Sequence, residues 1–556
     1  MILPFQTRKS ILFTVVAALS LTAATAGAAA SRGHLWDGER EHDFTVGADS
    51  FRTSGTAVSG SLLSNDRGAT AVVRHGEPAH GSLALDANGA FTYTPQPGFK
   101  GTDTFTYSAT DAVQLFASDL PPVASLPGYD PARDNGPVTV RISGGAYGSA
   151  LTPTPDRSGN FYGLTDRGPN ADHPDGHKTE PMSYSFVPSI GRFRLKDGKQ
   201  QLIDRITLKG PRSLGGVNYS GRPPHDTAEQ IYNLDQSVEQ FVRKDPYGYD
   251  PEGLVALPDG TFWVSDEYGP YLTHFDRDGY EMGRLTPHRT SPDNAFHTVL
   301  GHLPEELGNR TVNKGMEGLT VTPDGRTLVG VMQAALQQPD LAAGAAAKVA
   351  VDRIVTVDLR TYETKQYAYL LTDPATTKSA VSEITALSAT RFIVDERDGN
   401  PGPFAFKQLF DVDVNGATDL SGLSVDGKSV EAFVGPAGTN AALQALTGKG
   451  IQVANKQVYL DLGALVSQLN PTGGFFGADK VEGVATPDGG RTLYISNDSD
   501  FGINSVNVSH EDAAHRGWTV NQKTVNGAAD DGSVLKVDTA RLPAVVKTAT
   551  VTVRVR

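Results

Sequence analysis

One unit recurs along this chain and limits the architectures open to it. Asp250-Pro-Glu-Gly-Leu-Val-Ala-Leu-Pro-Asp-Gly-Thr-Phe-Trp-Val-Ser-Asp-Glu267 is echoed by Gly315-Met-Glu-Gly-Leu-Thr-Val-Thr-Pro-Asp-Gly-Arg-Thr-Leu-Val-Gly-Val-Met-Gln333 and by Val481-Glu-Gly-Val-Ala-Thr-Pro-Asp-Gly-Gly-Arg-Thr-Leu-Tyr-Ile-Ser-Asn-Asp498. A weaker copy runs from Ser382 to Arg397, and a fifth, from Gly148 to Arg167, has Ser149 where the others carry Glu. Each copy reads as a strand, a Pro-Asp-Gly type turn and a second strand. The leading acids fall at Glu252, Glu317, Glu383 and Glu482, giving intervals of 65, 66 and 99 residues. An interval of that size suits a four-stranded blade with generous loops, so the expected fold is all-β: a β-propeller of five to six blades, with six the expected count. Arg212 to Tyr249 and Gly435 to Gln468 are the candidate insertions, the second with a helix-like stretch at 441–446. A tandem of sandwiches has no reason to keep a Glu-Gly pair in register with a later Ser/Thr-Asp/Asn. A propeller does, because its inner strands start near one rim of a central channel.

Superimposing the copies gives two rings of oxygen ligands. The first is Glu252, Glu317, Glu383 and Glu482; the second is Asp166, Asp266 and Asn497, with Asp395 or Glu396 as the weaker equivalent. Carboxylates gathered in one channel repel each other unless a cation neutralises them. The chain has 556 residues, a formal charge of -14 and no Cys, so thiolate metal sites, disulfides and Cys nucleophiles are excluded. A hard divalent ion with six to eight oxygens fits, and Ca2+ tolerates irregular geometry better than Mg2+. The expected metal ligands are Glu252, Glu317, Glu482, Asp166, Asp266 and Asn497. The competing account has these Glu side chains tying blades together through backbone N–H groups, Glu383 first among them because its copy is the most degenerate. Arg167, Lys314, Arg397 and Lys480 accompany the acids. A cation with Lys/Arg clamps is what an anionic ester, above all a phosphoester, requires. The expected chemistry uses Glu252 or Asp266 as base and Arg167, Lys314 or Arg397 to hold the anion. An acidic chain without clustered Lys/Arg gives no footprint for nucleic acid.

Met1 to about Ala30 has a basic start (Arg8, Lys9), an apolar run from Ile11 to Leu21 and a small-residue end, which reads as a secretory signal peptide over 1–30. No later stretch is apolar enough to span a bilayer, so no integral membrane segment is expected after cleavage. A sandwich is expected over 41–118, a linker and first strand over 119–143, and the propeller over 144–556. Within the first module, Ser82–Leu85, the turn Asp86-Ala-Asn-Gly89 and Ala90–Thr94 form a hairpin. The string from Gly81 to Tyr107 resembles the cadherin-like, Ig-like modules of bacterial surface and secreted proteins. That resemblance implies a β-sandwich spacer or adhesive unit, with cell-surface or polysaccharide contact as its partner role. Arg74-His-Gly-Glu-Pro78 imitates the Arg-His-Gly signature of histidine acid phosphatases, but the register breaks at Glu77, and His75 is read as part of a turn.

Residues from about Gly144 to Pro543 resemble the "esterase-like activity of phytase" family of secreted bacterial proteins. The resemblance is carried by Phe161-Tyr-Gly-Leu-Thr-Asp-Arg-Gly-Pro-Asn170, Asp266-Glu-Tyr-Gly-Pro270, Asn313-Lys-Gly-Met-Glu-Gly318 and Gly416-Ala-Thr-Asp419. It implies a propeller with recurring acids and a phosphodiester- or phytate-directed hydrolase activity. The Glu-Gly openings are also similar to those of calcium-dependent lactonases, where such a Glu ligates the metal. There is no Gly-x-Ser-x-Gly elbow, no His-Glu-x-x-His helix and no phosphate loop. Asp411-Val-Asp-Val-Asn-Gly416 starts like an EF-hand but reaches Gly422 where a bidentate Glu is needed. His225 and His274 sit in loops, each as readily an ordinary exposed His as a general acid. The expected function is therefore a secreted, metal-dependent phosphoester hydrolase acting on an anionic small molecule, with Ca2+ or another divalent cation as the metal. A lactonase or carboxylesterase on the same scaffold, and a non-catalytic extracellular binding protein, are the alternatives.

Overall fold

A computed structural model describes residues 42–129, 137–236, 239–512, 517–525 and 527–556; the expected leader lies outside them. Five four-stranded sheets carry the repeat. Blade 1 is Ala150–Pro153, Phe161–Leu164, Ser189–Lys196 and Lys199–Thr207; blade 2 is Pro251–Ala256, Phe262–Asp266, Leu272–Phe275 and Glu281–Thr286, with Val299–His302 added in parallel at its edge. Blade 3 is Met316–Val321, Thr327–Met332, Val351–Asp358 and Thr364–Leu370, and blade 4 is Ala380–Ala386, Arg391–Arg397, Lys407–Asp413 and Asn455–Asp461. Blade 5 takes Val481–Ala485, Thr492–Asn497 and Ser533–Asp538 from the end of the chain and its outer strand, Val113–Ser118, from the beginning. The innermost strands neighbour one another in chain order, and blade 5 returns to blade 1. The described residues thus form five blades, the lower end of the five to six expected; Arg212 to Tyr249 contains a 3-10 turn and the short strand Ile231–Asn233.

The Glu-Gly step explains how closely the blades pack. A Cβ at Gly253 would stand 2.5 Å from the Leu319 nitrogen of blade 3, and one at Gly318 would stand 2.5 Å from the Ile384 nitrogen of blade 4. Only glycine lets neighbouring inner strands approach to backbone contact. The repeat's Ser completes the join. Ser265 Oγ accepts from Gly253 N at 2.8 Å and donates to Glu317 O at 3.0 Å; Ser496 Oγ donates to Gly148 O at 2.9 Å, linking blade 5 to blade 1. Apolar side chains fill the space between blades, Val329, Val331, Ile354, Val381, Phe392 and Val394 between blades 3 and 4 for example, where burial is the main stabilising term.

Inner strands start, and second strands end, at the same rim, so the Pro-Asp-Gly turns lie at the other. Residues 208–250 leave from the first rim, whereas the insertion between Asp413 and Asn455 in blade 4 leaves from the turn rim. Residues 119–143, expected as linker, contribute Ala124–Tyr129 and Pro137–Ile142 to an accessory seven-stranded sheet, with Ala171–Asp172, Lys178–Glu180, Ile231–Asn233, Ile503–Asp512 and Gly517–Gln522. The expected second insertion, Gly435 to Gln468, is only partly one: it holds the helix Thr439–Thr447, but Asn455–Asp461 is the fourth strand of blade 4; helices also form at Val430–Val434 and Leu462–Leu469. No helix among the described residues is long and apolar enough to cross a membrane.

The N-terminal module is an Ig-like sandwich. One sheet is Val58–Ser61, Ala90–Pro95 and Gly81–Leu85, containing the expected hairpin with Leu83 opposite Tyr93. The other holds Asp49–Thr53, Gly101–Thr110 and Ala71–His75, plus Lys547–Val555 from the C-terminus. That last strand lies in the middle of its sheet, parallel to Asp49–Thr53 and antiparallel to Gly101–Thr110, and Val551 and Val553 are fully buried in the sandwich core. The boundaries drawn from sequence therefore need correcting at both ends: 113–118 belongs to the propeller and 547–555 to the sandwich. An alternating strand suits either sheet, and which one accepts it is decided by contacts hundreds of residues away.

Two outcomes follow from this exchange of strands. Burying two aliphatic side chains contributes roughly 3–6 kcal/mol, so ending the chain at Val546 should open the sandwich while the blades persist. Limited trypsin digestion should then cut at Arg67, Arg74 or Lys100 about tenfold faster than in the full chain, and an unchanged digestion pattern would contradict the topology. In the same sheet, burial pushes the Asp49 carboxyl up to about 6, with the Tyr107 hydrogen bond opposing and the Asp66 charge reinforcing it. A carboxyl raised in the folded state holds its proton more tightly there than in the unfolded chain, so its contribution is full below about pH 4 and is lost as pH rises through about 6. Thermal melts across that window should show this decline in the wild type and not in Asp49→Asn.

Candidate functional site

The Glu of each repeat sits at the top of an inner strand, where the closed ring turns four of them toward one axis. Glu252, Glu317, Glu383 and Glu482 are 8, 2, 2 and 4 % exposed, so none is an ordinary surface acid. Below them the five inner strands line a channel of about 190 Å3 that opens at the turn rim, with Thr152, Leu254, Leu319, Ile384 and Val484 on its wall. The lower channel is apolar and hydroxylic. Apart from Glu383 at its upper end, the carboxylates gather at the opposite rim.

Not all of the expected ligands remain available there. Glu383 Oε1 accepts from Leu319 N at 3.2 Å and Ile384 N at 2.9 Å, tying blade 4 to blade 3 as in the competing account above. Asp266 is fully buried and accepts from the backbone N–H of Asp250, at 2.8 Å, and of Gly269, which makes it a strut inside blade 2. Asn497 is likewise spent: its amide nitrogen donates to Asp530, and its oxygen accepts from the backbone and hydroxyl of Ser533, both at 2.8 Å. Asp166 accepts from Gly168 N at 2.8 Å and faces Asp498 and Asp250; burial and those charges push its carboxyl well up. Glu482 is held by Arg397.

What remains is concentrated at blade 2. Ligand oxygens of Asp250, Glu252 and Glu267 lie within 4.8 Å of one another. Asp250 enters the inner strand two residues before Glu252, and Glu267 follows Asp266 at the close of the second strand. Among the described residues no hydrogen bond reaches the Glu252 carboxylate, Glu267 Oε1 or Asp250 Oδ2, the last having only Arg167 Nη1 at 3.4 Å. Glu317 from blade 3 stands beside them, one oxygen accepting from Gln333 Nε2 and the other, Oε2, unpartnered. Burial, then the charges of Glu317, Asp250, Glu482 and Glu267, drives Glu252 well above the usual carboxylate range; burial and the Glu482 charge push Glu317 up to about 8 against the pull of Arg397. Buried acids with open oxygens are costly unless a cation or protons compensate them. The open oxygens and the all-oxygen donor set fit a hard divalent ion. Sequence reading missed Asp250 and Glu267 by looking for one equivalent position per blade. Their signal was two extra acids flanking the repeat positions in a single copy.

The cations sort the same way. Arg167 is 4 % exposed and enclosed by Glu229 at 3.1 Å, Asp250 at 3.4 Å and Glu180 at 4.0 Å, with the Tyr268 ring at 5.7 Å, so it locks the accessory sheet to blade 2 and cannot also clamp a substrate. Arg397 is committed to Glu482 and Ser382, and Lys480 to Asp498 and Asp500. Lys314 differs: its Nζ donates to the neutral amide oxygen of Gln333 at 2.7 Å, while Glu267 and Glu317 act on it electrostatically. His225 is held by buried Asp293 through Nδ1 at 2.7 Å, and His274 stacks on Trp263 at 4.6 Å while bonding Thr261 near the opposite rim. Asp411 is engaged by Arg391 and Gln457 and leaves no EF-hand-like site.

A bacterial Ig domain profile matches residues 43–119. An uncharacterized secreted protein of Arthroderma benhamiae is 33% identical over 240 residues, 36% of this chain; the match spans 46% of that protein, so the chain covers about half the length of this curated relative. Among solved structures, the calcium-binding protein regucalcin from Agrobacterium tumefaciens is 10% identical over 76% of this chain and 95% of its own, with a TM-score of 0.26. The PQQ-bound aldose sugar dehydrogenase of Streptomyces coelicolor is 11% identical over 89% and 99%, with a TM-score of 0.29. The profile that decides membership covers residues 144–501, all five repeat copies, and by it the chain belongs to the family described as esterase-like activity of phytase.

Proposed function

We propose that the protein is a secreted hydrolase of anionic esters, phosphoesters foremost, working beside a divalent cation held by Asp250, Glu252 and Glu267. The convergence of those three carboxylates at blade 2, with the Lys314 ammonium free of any carboxylate hydrogen bond next to them, is the observation that carries the reading. A Ca2+ ion there would neutralise the cluster and polarise an ester oxygen. Lys314 binds the substrate's anionic group. The open oxygen of Glu317 accepts a proton from the attacking water and returns it to the leaving group. Arg397 holds Glu482 back from the cluster, and Arg167 holds the rim in place. The ammonium favours an anionic ester over a neutral lactone. Family membership and a leader-like start support hydrolysis and export, as does the secreted relative.

The metal and the chemistry are tested separately. Ca2+ at about a hundred times its dissociation constant should stabilise the protein by about 2.7 kcal/mol, seen as a raised melting temperature that chelation reverses and Glu252→Gln abolishes. No response in the wild type would remove the cation from the account. With bis-p-nitrophenyl phosphate, Lys314→Gln should raise KM with little change in kcat, and Glu317→Gln should lower kcat by about 10^2–10^4. Turnover of p-nitrophenyl acetate or a lactone with none of the phosphodiester would move the protein to the carboxylesterase or lactonase class; no turnover of any of them would leave a binding protein.

A further inference from the structure

A cleft of about 490 Å3 lies away from the channel, where the sandwich meets the propeller, and nothing assigned so far uses it. That volume is within the range of small-molecule sites, which favour such junctions. One wall is the sandwich strand Ala71–His75 with the hairpin turn Asp86–Asn88; the other is the exchanged strand Val113–Ser118, the blade 1 hairpin at Gly198–Lys199 and the segment Asn470–Phe475.

The walls are fixed to each other. Asn470 Nδ2 donates to Val73 O at 2.8 Å and Asn88 Nδ2 to Asp197 O at 2.9 Å, so hydrogen bonds cross from one module to the other on both sides of the cleft. The exchanged strands hold the same two modules together at longer range, and Ala117 N donates to Gly198 O at 2.9 Å. A cavity whose walls are already ordered costs a ligand little to enter.

Its lining is uneven. Val73 and Phe475, 2 and 3 % exposed, give it an apolar floor with Leu115. Arg74 and Lys199 bring two cations into a chain whose formal charge is -14. Arg74 spends only Nε, on Ser108 Oγ at 3.3 Å, and half-buried Lys199 has no ion-pair partner among the described residues. Of the acids, Glu77 pairs with His75 at 3.4 Å, and Asp86 is exposed at the rim. Two unspent cations above an apolar floor are complementary to an oxyanion carried on a compact apolar body.

We infer that the cleft between sandwich and propeller is a second binding site, for a small organic oxyanion, carboxylate or phosphate, held by Arg74 and Lys199. The stretch Arg74-His75 thus has a binding role without the nucleophilic one its sequence imitates. The sandwich becomes a functional wall as well as a spacer. The inference is independent of the channel chemistry.

Calorimetric titration of the full chain with phenylphosphonate and with benzoate tests it, with benzyl alcohol as the neutral control. At least one anion should bind saturably, more weakly as salt rises, and the alcohol should not. Affinity should fall about tenfold or more in the Arg74→Ala/Lys199→Ala variant, from loss of charge-assisted bonds, and stay unchanged in Glu252→Gln. Binding by phenylphosphonate alone or by both anions distinguishes a phosphate site from a general oxyanion site. Absence of binding by either, equal binding by the alcohol, or full affinity in the double variant would overturn the inference, and loss in Glu252→Gln alone would move the bound anion to the channel. If the double variant melts early, Lys199→Gln alone should still weaken binding.

Discussion

The structure depends on how closely its inner strands meet. At Gly253 and Gly318 the neighbouring blade's backbone occupies the place of a side chain, and Ser265 fastens the contact with bonds to both strands. Five strands brought that close form a narrow ring, and residues at the same step of each strand have nowhere to point except at one another. The Glu before each glycine is carried into the channel by the same step that closes it. In blades 2, 3 and 5 the Glu-Gly dipeptide couples close packing to the acidic rim; blades 4 and 1 carry Glu383-Ile384 and Ser149-Ala150 at that step.

A ring of like charges would be costly in a buried channel, and the protein disposes of most of it locally. Glu383 is absorbed by backbone N–H groups of two blades, Glu482 by Arg397, and the Arg167 guanidinium by three acids of the accessory sheet and blade 2. These pairings leave one sector with more carboxylate than cation: Asp250, which Arg167 approaches only to 3.4 Å, Glu252 and Glu267, with Glu317 and Lys314 at its border. The residual imbalance is what distinguishes a site from scaffold.

Much of this was legible in the order of residues. The recurrence of Glu-Gly, Pro-Asp-Gly and a closing acid identifies blades and rim because each element of the motif has a local cause. Glu252 and Glu317 follow from it, whereas Lys314 stood beside Arg167 and Arg397 as one of three equal clamps until their partners were seen. Asp266 and Asn497 looked equivalent to ligands because a strand-end acid pointing into a channel and one capping a neighbouring backbone occupy the same sequence position; only the donor geometry separates them. Asp250 and Glu267 were passed over because they belong to one blade. The exchange of Val113–Ser118 and Lys547–Val555 between modules could not be read locally, since both strands carry an ordinary alternating pattern and their partners are far away in the chain. That exchange fastens the sandwich to the propeller and fixes the walls of the cleft between them.

The account stands on a cation at blade 2, and the position of the ion is its most direct measure. Crystals grown with Mn2+ in place of Ca2+ and measured for anomalous scattering should show one strong peak among the carboxylates of Asp250, Glu252 and Glu267. A peak centred on Asp266 and Asn497, or no peak in the channel at saturating metal, would contradict it.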